Sequence, residues 1–234
     1  HDERPKNNFI TKASIRINKK LVRKTIVAYY DGILAQTSAK QYDYVFVVNI
    51  EAMLPEVLQQ LKAQQASATF ILYMWDSLQN KKQTPEILPY FDRAYSFDPT
   101  DLKKIAGVKF RPLFFIDKYA ALAKQDNKNS SGLSFIGTVH SDRYQLVHEI
   151  KQQVARLGIK STFFMYFPSP VLFAYKKLSD IKFYKARFRE FSFKSLPQTA
   201  IIKRISDAQA VLDIQHPAQT GLTMRTLEML GAQK

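Results

Sequence analysis

The residues best suited to chemistry gather in the last stretch, AVLDIQHPAQTGLTMRTLEMLGAQK, residues 210–234. Ala210–Ile214 is a short apolar run that reads as a buried strand. A polar loop, residues 215–220, follows and carries His216, which is placed to meet a phosphate or a sugar. Gly221 then opens a helix, expected to begin near Leu222, with apolar residues at Leu222, Leu227 and Leu230 and a stop at Gly231. Strand, glycine-containing loop and helix together offer backbone N–H groups and the positive end of a helix dipole to an anion such as a diphosphate. Gly221 lets the backbone approach closely because it lacks a Cβ. Glu228, roughly two turns into the helix, is in reach of a hydroxyl on the same ligand.

Ligands of open α/β sheets bind outside the carboxyl ends of the strands. That rule nominates Asn49, Glu51, Asp76, Ser77, Asp98, Gly137 and Thr138, together with residues 215–223. Asp76 is the acid/base candidate, a carboxylate able to take a proton from a hydroxyl. Asp98, before Pro99, reads as a helix N-cap. Gly137 is a tight turn close to a ligand, and His140 is a further phosphate candidate. With no Cys and four His that lack ligand spacing, no metal site is expected.

These residues need a scaffold of alternating strands and helices. Residues 42–49, 69–74 and 93–97 read as strands, with helices over 25–35, 55–65 and 99–106 and a return toward the sheet at 109–115. Residues 124–132, KQDNKNSSG, have linker composition. They place a domain boundary at 128/129, separating domain 1–128 from domain 129–234. Beyond it, 133–136 and 161–166 read as strands and 142–157, 170–178 and 199–206 as helices, the last with a capping box at Ser195–Gln198. The alternation predicts two Rossmann-like α/β cores, each with a mainly parallel sheet. The chain opens at His1 and closes at Lys234 just after a helix, so a strand before it and a continuation after it are both expected.

Composition sets the limits. The 234 residues suffice for one large or two small domains, and 46% hydrophobic with 24% charged residues suits a globular protein. No run approaches about 18 apolar residues, so no membrane span is expected. The absence of Cys and of a leader pattern fits the cytoplasm. A formal net charge of +15 attracts polyanions: nucleic acid, anionic lipid or a phosphate-bearing substrate. Residues 175–194, YKKLSDIKFYKARFREFSFK, interleave Lys/Arg with Phe/Tyr. That pattern fits an anionic membrane surface, single-stranded nucleic acid, or a helix that packs its aromatics inward. Lys176, Lys177, Lys182, Lys185 and Arg187 are the expected lipid-facing cations.

Thr220-Gly221-Leu222-Thr223-Met224-Arg225-Thr226-Leu227-Glu228 resembles the donor motif of GT-B glycosyltransferases, Glu-Gly-Phe-Gly followed by a second Glu that opens a Glu-Ala pair. The second Glu matches Glu228, which the resemblance places on the nucleotide ribose, and the Gly matches Gly221, beside the diphosphate. Thr220 stands for the first Glu and Met229 for the Ala, departures that bear on the contact with the donor sugar. With Tyr73–Ser77, Tyr90–Asp92, Ser96–Pro99 and Phe135–Thr138, the chain is similar to bacterial spore-maturation-protein-B-like and capsule or lipopolysaccharide glycosyltransferases. The resemblance implies a GT-B arrangement of two Rossmann-like domains facing a cleft. It implies a nucleotide sugar as substrate, with no cofactor and no metal, and a glycan or lipid-linked glycan as acceptor. Arg143 and Arg225 are then the cations for the departing diphosphate, with Gly137, Thr138, Thr220, Leu222 and Thr223 around the donor. The implied location is cytoplasmic, at the inner face of the membrane. Two other readings remain open: a basic nucleic-acid-binding protein, which lacks a recognisable binding motif, and a catalytically inactive scaffold.

Overall fold

The computed structural model describes residues 1–5, 15, 19–78, 81, 84–124, 131–139, 141–215 and 219–234. The chain forms two compact units, His1–Leu113 with Pro217–Leu222, and Phe114–His216 with Thr223–Lys234.

The first unit holds β1 (Tyr44–Val48), β2 (Thr69–Met74), β3 (Arg93–Ser96) and β4 (Val108–Phe110), all parallel and in that spatial order. Helices α1 (Arg23–Thr37), α2 (Pro55–Gln64), α3 (Thr84–Ile87) and α4 (Pro99–Lys104) connect and cover them. The strands are rich in β-branched and aromatic residues, which suit a pleated surface. Their period of two sends Val47, Phe70, Leu72, Met74, Ala94 and Val108 to one face. There they share a core with Ile26 and Tyr30 of α1 and Val57 and Leu58 of α2. Each fully buried large side chain contributes about 1.5–3 kcal/mol. Pro55 at the first helical position starts α2, where its missing N–H costs nothing.

The second unit holds β5 (Leu133–Thr138), β6 (Ser161–Tyr166), β7 (Phe191–Ser192) and β8 (Ala210–Leu212), with α5 (Asp117–Ala123), α6 (Ser141–Arg156), α7 (Pro170–Ser179), α8 (Gln198–Asp207) and α9 (Met224–Ala232). Its sheet is parallel too, in the order β7-β6-β5-β8. The chain runs outward from β5 through β6 to β7, then returns to the opposite side of β5 for β8. That reversal is a topological switch point between β5 and β8.

Several expectations change here. The units divide between Leu113 and Phe114, not at 128/129, because α5 packs on α9 through Tyr119, Leu122, Met229 and Ala232. Most of the 124–132 linker lies outside the described residues. The last helix begins at Met224 rather than near Leu222, with Thr223 as its N-cap. Gly231 does not stop it, since the helix runs through to Ala232 and ends on Gln233 in the left-handed conformation (φ 55°). Gly231 is instead a contact point, where an added Cβ would come within 2.6 Å of the Phe115 ring. The capping box at 195–198 does not form; Pro197 precedes α8 without a side-chain cap.

The aromatics of residues 175–194 divide: Phe183 and Phe191 turn inward, while Tyr175, Tyr184 and Phe188 are exposed. Phe173, Phe183 and Phe191 are buried with Phe167 and Tyr144 in one cluster, with ring centroids 5.1–5.7 Å apart for Phe173–Phe191 and Phe167–Phe173. Among the described residues, no helix is long and apolar enough to cross a membrane.

Candidate functional site

The carboxyl edge of the second sheet brings several of the expected residues together. Gly137 and Thr138 end β5, and Asp213 and Ile214 follow β8. Arg143, in the first turn of α6, spans the gap between these two strand ends. Its Nη1 donates to the Thr138 carbonyl at 2.9 Å and its Nη2 to the Ile214 carbonyl at 2.7 Å. A guanidinium presents a rigid fork of donors, and here that fork ties both sides of the switch point. Burial lowers the Arg143 pKa, and the Asp213 carboxylate works against that shift. The side chain therefore places a half-buried positive charge where ligands of such sheets bind.

Asp213, which sequence reasoning did not single out, organises the other wall. Its Oδ2 accepts from Thr223 Oγ1 at 2.5 Å and from Thr226 Oγ1 at 2.6 Å. Thr223 Oγ1 in turn accepts from the Thr226 amide at 3.1 Å, so the start of α9 is capped by a threonine and braced by a carboxylate. A carboxylate one residue past a strand, with two Thr at an (i, i+3) spacing on the next helix, is the sequence signal for this arrangement.

Glu228 and Arg225 lie on the next turn as an ion pair, Oε2 to Nη1 at 2.7 Å, with both side chains mostly buried. Burial raises the Glu228 pKa, while Arg225 and a hydrogen bond from Tyr119 lower it. Glu228 is thus not the solvated helix residue that its position on the sequence would suggest. Tyr119 of α5 was also unforeseen; it is the buried phenol that reaches this pair.

Thr220 and Gly221 belong to the first unit. Thr220 Oγ1 donates to Asp98 Oδ1 at 2.5 Å, its amide lies 3.3 Å from Asp98 Oδ2, and its hydroxyl is 2.7 Å from that of Thr100. Asp98 caps α4 as expected, accepting from the Thr100 amide at 3.0 Å. Gly221 is held against Phe97, where a Cβ would stand 2.4 Å from the backbone oxygen and 2.7 Å from the ring. Packing alone therefore accounts for a glycine here. Gly221→Ala should destabilise the first unit by about 1–3 kcal/mol, the usual cost of overpacking, as read from the midpoint of urea unfolding. Wild-type stability would show that the Phe97 contact yields. Leu222 is exposed, and His216 and His140 lie outside the described residues.

Asp76 follows β2 in the first unit and is half-exposed. Its Oδ2 pairs with Lys81 at 3.2 Å and accepts from Asn49 Nδ2 at 3.3 Å. Asn49 adopts a positive φ of 51°. Lys81 also reaches Glu51 at 3.3 Å, so three residues nominated at the end of this sheet form one polar group. Ser77 is occupied differently: its hydroxyl donates to buried Asp101 at 2.9 Å.

No family model matches the sequence, and no curated protein matches it. Among solved structures, the chain is similar to an alpha-glucosyltransferase in complex with UDP and a 13-mer DNA containing a central A:G mismatch, with a TM-score of 0.51 at 15% sequence identity. The likeness covers 78% of this chain and 54% of that one, so the chain spans about half the length of the structure it matches. At this identity the likeness speaks to fold, and the fold is α/β and GT-B-like, with two Rossmann-like units of parallel sheet.

Proposed function

We propose that this chain is a glycosyltransferase that binds a nucleotide sugar at the carboxyl edge of its second sheet and passes the sugar to a bacterial surface glycan. The observation that carries the reading is Arg143, which bridges the carbonyls of Thr138 and Ile214 across the switch point. A donor bound there would set its diphosphate against the guanidinium and the amino end of α9. Glu228 would accept from the ribose hydroxyls, with Arg225 holding that carboxylate ionised. Thr220, Gly221 and Leu222 lead the chain toward this helix, and His216 lies on the same loop in sequence.

Transfer breaks the bond between the anomeric carbon and the phosphate oxygen and forms one to an acceptor hydroxyl oxygen. The electron pair leaves with the diphosphate, where cations and helix dipoles stabilise it. The acceptor proton passes to a base, a role we assign to Asp76. The structural neighbour supports the donor class, since that protein was solved with UDP. The acceptor class rests on the sequence resemblance to capsule and lipopolysaccharide transferases. A second reading gives the acceptor as DNA, because the neighbour is complexed with DNA and this chain carries +15.

A thermal-shift screen with UDP, GDP, CMP and dTDP tests the donor site, because a ligand of the native state raises its melting temperature. One nucleotide is expected to raise it; no shift from any of them counts against the reading. Glu228→Gln should then weaken that nucleotide on the order of tenfold to a hundredfold, from a lost charge-assisted bond of roughly 1.5–3 kcal/mol. It should also lower stability, because Arg225 loses its buried partner. Titration calorimetry showing unchanged affinity would remove Glu228 from the site. Asp76→Asn should leave nucleotide affinity intact and abolish transfer to a lipid-linked glycan, and full turnover would exclude Asp76 as the base.

A further inference from the structure

The cations expected to face lipid are partly committed elsewhere. Lys177 donates to the Ala186 carbonyl at 2.6 Å, Lys182 pairs with Asp142 at 2.6 Å, and Lys176 stands 3.7 Å from Asp180. This region also leaves large apolar side chains uncovered. Val171, Tyr175 and Leu178 follow an i, i+4, i+7 spacing, which sets them on one face of α7. The opposite face buries Phe173 in the aromatic cluster. Beyond the helix, Ile181 and Tyr184 continue the exposed series. Leu178 and Ile181 are 89% and 91% exposed, and Val171 is 79% exposed. Side chains this large are normally found singly at a surface, and a contiguous set marks a contact.

The surroundings identify the contact. Lys185, Arg187 and Arg189, next in the chain after the stripe, are all exposed. Residues 171–194 hold seven Lys/Arg against two Asp/Glu. Aliphatic and tyrosine side chains with a basic rim match the acyl–headgroup boundary of an anionic bilayer, where apolar groups insert shallowly and cations meet lipid phosphates. A nucleic acid would use the cations and the flat rings but has no use for Val171, Leu178 and Ile181.

We infer that the exposed stripe Val171–Tyr175–Leu178–Ile181–Tyr184 is a membrane-docking face that inserts into anionic lipid. Docking needs both parts: the aliphatic side chains insert, and the positive charge of the chain draws the face to anionic lipid. It is independent of the donor-site reading. Flotation of the full chain with vesicles of phosphatidylcholine alone, and of phosphatidylcholine with phosphatidylglycerol, tests it. Binding to the mixed vesicles alone is expected. Leu178→Glu with Ile181→Glu should weaken it by about tenfold or more, since each side chain withdraws the burial of a whole aliphatic group. Both positions are so exposed that the melting temperature should stay unchanged, which separates lost docking from lost folding. Lys185→Glu with Arg187→Glu should weaken it less, and only at low salt.

Equal binding of the double Glu variant and the wild type would overturn the proposal, showing that the general positive charge suffices. So would equal binding to neutral vesicles. Self-association that Leu178→Glu abolishes would assign the stripe to a second copy of the chain. Release of the vesicle-bound protein by a random oligonucleotide, with oligonucleotide affinity equally sensitive to Leu178→Glu, would assign it to nucleic acid.

Discussion

Arg143→Ala should destabilise the second unit by about 3 kcal/mol and weaken the best nucleoside diphosphate by about a hundredfold. The stability loss follows from geometry. Two charge-assisted bonds, at 2.9 and 2.7 Å, are removed, and the carbonyls of Thr138 and Ile214 lose their shared donor. The binding loss follows from charge, because Asp213 would then stand at the mouth of the switch point without the cation beside it. Arg143→Lys separates the two effects. It keeps a positive charge but cannot fork between two carbonyls, so it should recover part of the affinity and less of the stability. Urea unfolding and titration calorimetry on the same preparations give both numbers, with binding measured below the unfolding transition. A fully stable, fully binding Arg143→Ala would mean that the guanidinium neither braces the switch point nor meets the donor, and that the proposed donor site is elsewhere.

Asp98→Asn should lower stability at neutral pH by about 2–4 kcal/mol, and the loss should disappear in acid. Asp98 is fully buried. Burial works to raise its pKa, but hydrogen bonds from the Thr220 hydroxyl and the Thr100 and Thr220 amides outweigh it and hold the carboxyl below its usual range. A depressed folded pKa stabilises the protein above the unfolded value, about 3.9. That contribution is lost as pH falls through the folded pKa, where the native carboxylate also takes a proton. The wild type should therefore exceed Asp98→Asn in stability at pH 7, with the gap narrowing below about pH 4. The expected size combines one N-cap and charge-assisted bonds to Thr220. Chemical denaturation at a series of pH values reads it directly. A gap of constant size down to pH 2 would show that the shape of the side chain matters and its charge does not.

What could be read from the chain alone was what local pattern encodes. Residues 69–74 and 161–166 are strands because β-branched and aromatic residues at a period of two demand a half-buried sheet. Pro55, Asp98-Pro99 and Pro170 mark helix starts because proline fits the first turn and aspartate can cap it. Two α/β cores with parallel sheets followed from that alternation. Arg143 was legible as a cation near a strand end.

Tertiary structure decided the rest, because it depends on partners distant in sequence. A glycine shows only that a Cβ is missing; that Phe97 fills the space at Gly221 and Phe115 the space at Gly231 depends on chain segments more than 100 residues away. Glu228 looks solvated on a helical wheel, yet Tyr119 and Arg225 draw it into a mostly buried pair. Asp213 sits one residue past a strand in the sequence, but its role as a brace is fixed only when Thr223 and Thr226 are folded back onto it. The basic aromatic stretch was ambiguous in sequence, since inward and outward side chains alternate within it. Packing resolved it: Phe183 and Phe191 joined Phe173 in the core, and Tyr175, Leu178, Ile181, Tyr184 and Phe188 remained in solvent. Burial is a property of the assembled surface, and a single chain segment does not contain it.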